Sequence, residues 1–161
     1  PRPSHTPTQV LEAAIQLMRA GASLPDLTDR IFNHRPLGVI RMWSAALEDL
    51  HLEDRILWSQ VTQDLRQKVG YSDNGDAGLV SFLNTVDEAD IAVVFDELPD
   101  GQVNVSIRAV AGYDISRVAL SLGGGGHPQA AGCPVNGPLE EARAKVLSRL
   151  GQARDEQTAS R

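Results

Sequence analysis

Four consecutive glycines, Gly123-Gly124-Gly125-Gly126, followed directly by His127, constrain this 161-residue chain more than any other feature. Glycine loses more backbone freedom on folding than any other residue, so a run of four in a compact domain implies that something approaches the main chain closely. A stretch without side chains presents several N–H groups at once, and concave arrays of such groups hold anions. His127 adds a ring nitrogen able to donate to a phosphate oxygen. The run follows a short helix expected over 115–122, opened by Asp114, and leads into a strand expected over 130–135. It therefore lies at a helix C-terminus, whose dipole repels anions. A phosphate here has to be held by loop N–H groups, His127 and a nearby arginine.

The remaining elements follow from periodicity and caps. Thr6-Pro7-Thr8-Gln9 is a capping box opening a first helix, with Leu11, Ala14, Ile15 and Met18 on one face and Gly21 at its end. Ser23, Pro25 and Asp26 open a second helix running to about Asn33. Pro36 restarts the chain into a third, with the apolar stripe Leu37, Ile40, Trp43, Leu47 and Leu50. A strand over 56–61 and a polar helix or turn around 63–69 come next, then a turn at 72–76. A helix follows from Gly78 to Val86, with Leu79, Val80 and Leu83 inward. Ile91 to Phe95 is continuously apolar, as a central strand covered on both faces should be. After a turn at Pro99-Asp100-Gly101, Val103, Val105 and Ile107 alternate with Asn104, Ser106 and Arg108 in a partnered strand. A last helix starts at Pro138, with Leu139, Ala142, Val146, Leu147 and Leu150 on one side. The expected fold is α/β, with helices leading into a mixed β-sheet flanked by helices. Its expected divisions are a helical segment 1–54, a sheet domain 55–150 and a disordered polar tail 151–161.

Composition narrows the function. A net charge of −6, from 21 acidic and 15 basic residues, argues against gripping long nucleic acid by phosphate neutralisation. Aromatics at 4% argue against an extended stacking platform. A nucleotide ligand should therefore be short and held by a few focused contacts. No run of apolar residues is long enough to span a membrane, and no leader is evident. The single Cys133 excludes an internal disulfide and reads as a buried, inert thiol, in keeping with a cytoplasmic location. His5, His34, His51 and His127 are scattered singly, so no metal site from this chain alone is expected. Arg108 is the second candidate binding residue: its strand neighbours Asn104 and Ser106 are short, leaving the guanidinium room to hold a phosphate bidentately. Against this stands an ordinary solvated arginine, and against His127 a packing or capping histidine. Asp76 and Asp114 read as helix caps, and Trp43 and Trp58 as core.

The glycine run, His127, two intervening residues and Ala130-Ala131-Gly132 together resemble the signature of the DHHA1 domain, the carboxy-terminal half of DHH-type phosphoesterases. Ala20-Gly21-Ala22, Arg35-Pro36-Leu37, Val105-Ser106-Ile107-Arg108 and Asp114-Ile115-Ser116 occur in an order similar to the bacterial nanoRNase/pAp phosphatase group, which degrades very short RNAs and dephosphorylates phosphoadenosine phosphate. The resemblance implies a hydrolase in which manganese, or another divalent metal, is held by an amino-terminal domain carrying Asp-His-His. That motif does not occur in this sequence, which starts at Pro1 without Met and so reads as the back half of a larger enzyme with no catalytic residue of its own. By the same resemblance Gly123, Gly124, Gly125, Gly126 and His127 close over the scissile phosphate, and Arg108 contacts the terminal phosphate of a short RNA. The implied partners are short RNA or a nucleotide phosphate and the amino-terminal DHH domain, with a homodimer left open and no membrane involved. Two departures stand out. Ala109 replaces a serine after the arginine, and Ala77-Gly78 replaces Glu-Gly, so that an acidic role there is absent or moves to Asp76. The same domain also serves cyclic-dinucleotide phosphodiesterases, single-strand exonucleases and polyphosphatases. A non-catalytic nucleotide-binding module is the alternative outside the enzymes.

Overall fold

A computed structural model describes residues 8–30 and 34–159 and divides the chain into two compact units, 1–36 and 37–161. In the first, α1 (Thr8–Arg19) is followed by Gly21 at φ +100°, and α2 (Leu24–Thr28) is capped by Ser23, whose Oγ accepts the Asp26 N–H at 3.3 Å. The capping box at Thr6 and Pro7 and the expected helix end at Asn33 lie outside the described residues.

The second unit runs α3 (Leu37–Glu48), β1 (His51–Glu53), β2 (Ile56–Val61), α4 (Gln63–Val69), α5 (Leu79–Leu83), β3 (Ile91–Glu97), β4 (Val103–Ala109), α6 (Ser116–Ser121), β5 (Gly125–His127), β6 (Ala130–Val135) and α7 (Leu139–Ala159). Its six strands form one sheet in the order β1-β2-β3-β4-β6-β5; β2 and β3 are parallel and every other pair is antiparallel. The mixed α/β architecture expected from the sequence is the one observed. One face buries Ile56, Trp58, Val93, Phe95, Val105, Ile107, Ala131 and Cys133 under α6 and α7. The other buries Leu57, Val61, Ala92 and Val94 under α3, α4 and α5. The alternation of β4 places Val103, Val105 and Ile107 on the first face and Asn104, Ser106 and Arg108 on the second.

Three expectations need correction. The inward stripe of α3 is Val39, Met42 and Ala46; of the expected stripe Trp43 and Leu47 pack beside it, while Leu37, Ile40 and Leu50 are exposed. The helix is rotated because Ala46 must approach β2 closely: the buried Ser59 hydroxyl donates to its carbonyl at 2.6 Å. The boundary at 54/55 would cut a hairpin, since β1 pairs with β2 through a turn in which Asp54 and Arg55 both have positive φ. That is the mark of a type I′ turn, written with Asp-Arg instead of the usual Asn-Gly. Arg55 compensates through a bidentate ion pair with Asp90, at 2.9 and 3.0 Å. Finally, 151–159 is not a disordered tail. α7 continues through Gly151 to Ala159 because its last turns are anchored: Gln157 accepts the Asp114 N–H at 2.6 Å and donates to the Asp114 carbonyl at 3.2 Å.

Candidate functional site

α3 and α4 cover the β2 side of the second face, and α5 lies over β3 and reaches β4. Beyond α5, toward β6 and β5, that face is open, and its rows can be read from the register. Arg108 lies opposite Ala130, and Ala130 opposite His127; in the next row Ser106 lies opposite Gly132, and Gly132 opposite Gly125. Arg108 and His127 therefore share one face with only a methyl group between them, about 10 Å apart as two strand spacings. The adjoining row contributes a hydroxyl and two glycines. The result is a shallow floor with a guanidinium on one side and an imidazole on the other. Arg108 is half-buried and its Nη1 donates to the Ile107 carbonyl at 2.9 Å, which holds the group against the strand. His127 is exposed.

The glycine run is not the free loop of donors expected from the sequence. Gly123, at φ +85°, ends α6 in a Schellman motif: its N–H donates to the Leu120 carbonyl at 3.1 Å, and that of Gly124 to Ala119 at 2.9 Å. Gly124 and Gly126 then lie flat on β6. A Cβ on Gly124 would stand 2.1 Å from the Gly132 carbonyl oxygen, and one on Gly126 would stand 2.5 Å from the Ala131 Cα. Three of the four glycines are thus explained by the chain's own backbone, Gly123 by its left-handed conformation and Gly124 and Gly126 by close approach to β6. Gly125 has neither a left-handed φ nor anything near its missing side chain, and it is the one that faces the open floor opposite Gly132.

Beside this floor a pocket of about 320 Å³ is lined by Gly75, Asp76, Asp96, Asn104, Ser106 and Gly132, among others. Its rim, residues 72–78, is held by a buried ion pair. Arg66 donates to the Asp96 carboxylate and to the carbonyls of Asp73 and Gly75, and Asp96 accepts the Gly75 N–H at 3.0 Å. Burial pushes the Asp96 carboxyl up, while Arg66 and the Gly75 N–H pull it down. Asp76 is the cap expected of it, accepting the Gly78 and Val80 N–H groups at 2.9 and 3.1 Å. Asp114 likewise accepts the Ser116 N–H at 3.0 Å. Cys133 is buried on the opposite face, and burial raises its thiol. Asp96, Gly75 and Gly132 were not among the candidates. Gly75 read only as part of a turn and Gly132 as part of the Ala130-Ala131-Gly132 run, while Asp96 carried no signal beyond following the apolar run 91–95. A larger hollow of about 450 Å³ lies between α6 and α7, but Asp114 and Glu156 there offset Arg117 and Arg149, and it shares no residue with the open face. Among the described residues no three His, Cys, Asp or Glu side chains gather as metal ligands, so no chemical step is assigned to a metal on this chain. No described helix is long and apolar enough to cross a membrane.

These features define an α/β domain built on a mixed six-stranded sheet with one half-open face. The DHHA1 domain family matches residues 61–153, more than half of the sequence, and the chain belongs to that family. It is 33% identical over 147 residues to the bifunctional oligoribonuclease and PAP phosphatase NrnA of Thermus thermophilus, covering 89% of this chain and 43% of that protein. The chain thus spans less than half the length of the curated relative it matches. Among solved structures it resembles an exopolyphosphatase-related protein from Bacteroides fragilis, with a TM-score of 0.82 and 19% identity over 95% of this chain and 46% of the other. A pGpG-specific phosphodiesterase, PggH from Vibrio cholerae, aligns with a TM-score of 0.53 and 14% identity over 94% of this chain and 52% of the other. At these identities the two structures establish the fold.

Proposed function

We propose that this chain is the substrate-holding part of a DHH-type phosphoesterase that hydrolyses short oligoribonucleotides and 3′-phosphoadenosine 5′-phosphate. One observation carries the reading: Arg108, Ala130 and His127 stand in a single row on the open face, with glycines where side chains would block a ligand. Arg108 donates two N–H groups to a terminal phosphate, and His127 meets the phosphate nearer the glycine edge. Holding both ends of a short substrate fixes its orientation, which lowers the entropic part of the barrier. Similarity to NrnA over 89% of the chain supports this substrate class. In this proposal the divalent metal, manganese by family resemblance, is supplied by an amino-terminal DHH domain, and the protein works in the cytoplasm.

Titration of the chain with a 5′-phosphorylated diribonucleotide and its unphosphorylated twin, followed by amide NMR, tests the reading. Arg108→Ala should weaken the phosphorylated ligand by about 10-fold or more, the worth of a hydrogen bond to a charged group, and leave the other unchanged. Equal binding of the two ligands, or indifference to Arg108→Ala and His127→Ala, would remove the assignment.

A further inference from the structure

Chemistry changes along the open face. At one end stand Arg108 and His127. At the other, the pocket beside Ser106 has no Lys, Arg or His in its lining, and its charged members are the carboxylates of Asp76 and Asp96. Arg66 lies behind Asp96 and offsets its charge, whereas the Asp76 carboxylate accepts from the backbone N–H groups of Gly78 and Val80. A phosphate would be repelled from such a pocket. An uncharged ring carrying N–H donors fits it, since each carboxylate oxygen retains acceptor capacity beyond the bond it already makes. Asn104 adds an amide that donates and accepts, Ser106 adds a hydroxyl, and Pro134 gives an apolar wall for the flat of a ring. Ser106 and Arg108 are two residues apart on the same face of β4, about 7 Å. One small molecule can therefore place a phosphate on Arg108 and a ring in the pocket.

We infer that the Asp76–Asn104–Ser106 pocket is a nucleobase subsite selective for bases bearing an exocyclic amino group over uracil, whose exocyclic groups are both carbonyls. This rests on the proposal that the face binds short nucleotides, and deepens it by assigning base preference to named residues. Carboxylates accept from an amino group such as that on C4 of cytosine and can only repel a carbonyl oxygen in the same place. The Arg66–Asp96 pair positions the rim that carries Asp76, so the pocket exists before ligand arrives.

Calorimetric titration with 5′-phosphorylated dicytidylate and diuridylate tests the inference, because the two rings have the same size and differ only along one edge, in the amino group against a carbonyl at C4 and in the proton on N3. The dicytidylate should bind about 10-fold tighter, corresponding to one or two added hydrogen bonds. In the Asp76→Asn, Asn104→Leu double variant the ratio should fall toward one; if that variant loses the start of α5, Asn104→Leu alone should still lower it. Arg108→Ala should weaken both ligands by the same factor. Equal affinity of the wild-type chain for both ligands, or a ratio unmoved by the pocket variants, overturns the subsite and leaves the phosphate reading intact. Unchanged affinity in Arg108→Ala overturns the phosphate reading itself, and absence of binding by either ligand removes both.

Discussion

The second face of the sheet has two halves that obey the same alternation and carry opposite surfaces. Under α3, α4 and α5 it presents Leu57, Val61, Ala92 and Val94, all buried. On β4, which α5 only partly overlies, and on β6 beyond it, the same face presents Asn104, Ser106, Arg108, Ala130, Gly132 and Pro134. The first half supplies stability through apolar area removed from water. The second gives up that contribution, and what it gains is polar groups on a rigid base, open to a ligand. Asp96 lies at the seam, opposite Val61 on one side and Asn104 on the other.

The comparison breaks hardest at that seam. Arg66→Leu leaves the Asp96 carboxylate buried without its partner and should cost about 3–5 kcal/mol in urea unfolding. Hydrogen exchange should then be fastest across 72–78, whose Asp73 and Gly75 carbonyls lose their donor. Val94→Asn puts an unsatisfied amide into the covered half and should cost about 3 kcal/mol, whereas Ser106→Val in the open half should stay within about 0.5 kcal/mol. A reversed order would mean that the two halves are not what their exposure suggests. The glycine run provides a sharper version of the same contrast. Gly124→Ala forces β5 off β6 and should cost about 2 kcal/mol or more, while Gly125→Ala, with open space at its Cβ, should leave the melting temperature nearly unchanged. Gly125→Ala should nonetheless weaken phosphorylated dinucleotides, since the new methyl group would stand on the floor between the two strands.

The smallest effect concerns Cys133. Burial raises its thiol pKa, so the folded state keeps the proton after the unfolded chain has released it, above about pH 8.5. The associated stability is complete below that pH and is lost as pH rises through the folded value. Cys133→Ala should flatten the decline of Tm above about pH 8.5 in scanning calorimetry.

Much of this was legible because it is local. The continuous apolar run at 91–95 became the central strand β3, and Val103, Val105 and Ile107 point into the core as their alternation requires. Asp76 caps because a carboxylate placed just before a helix start has N–H groups within reach. The Asp54-Arg55 hairpin was illegible since neither residue favours positive φ; the ion pair to Asp90, 35 residues away, helps hold the turn. The extension of α7 depends on Gln157 reaching the Asp114 backbone, which no nearby sequence announces.

The sequence by itself determined the α/β class, most of the strands, and Arg108 and His127 as candidates, because side-chain period and residue chemistry are written residue by residue. Only the tertiary structure decided that these two share a row across Ala130, and that one glycine ends α6, two pack against β6 and one is left for the open floor. It also decided that an acidic pocket adjoins them. Each of these depends on strand register and on which helices cover which half of the sheet, and those are set by contacts between residues far apart in the chain.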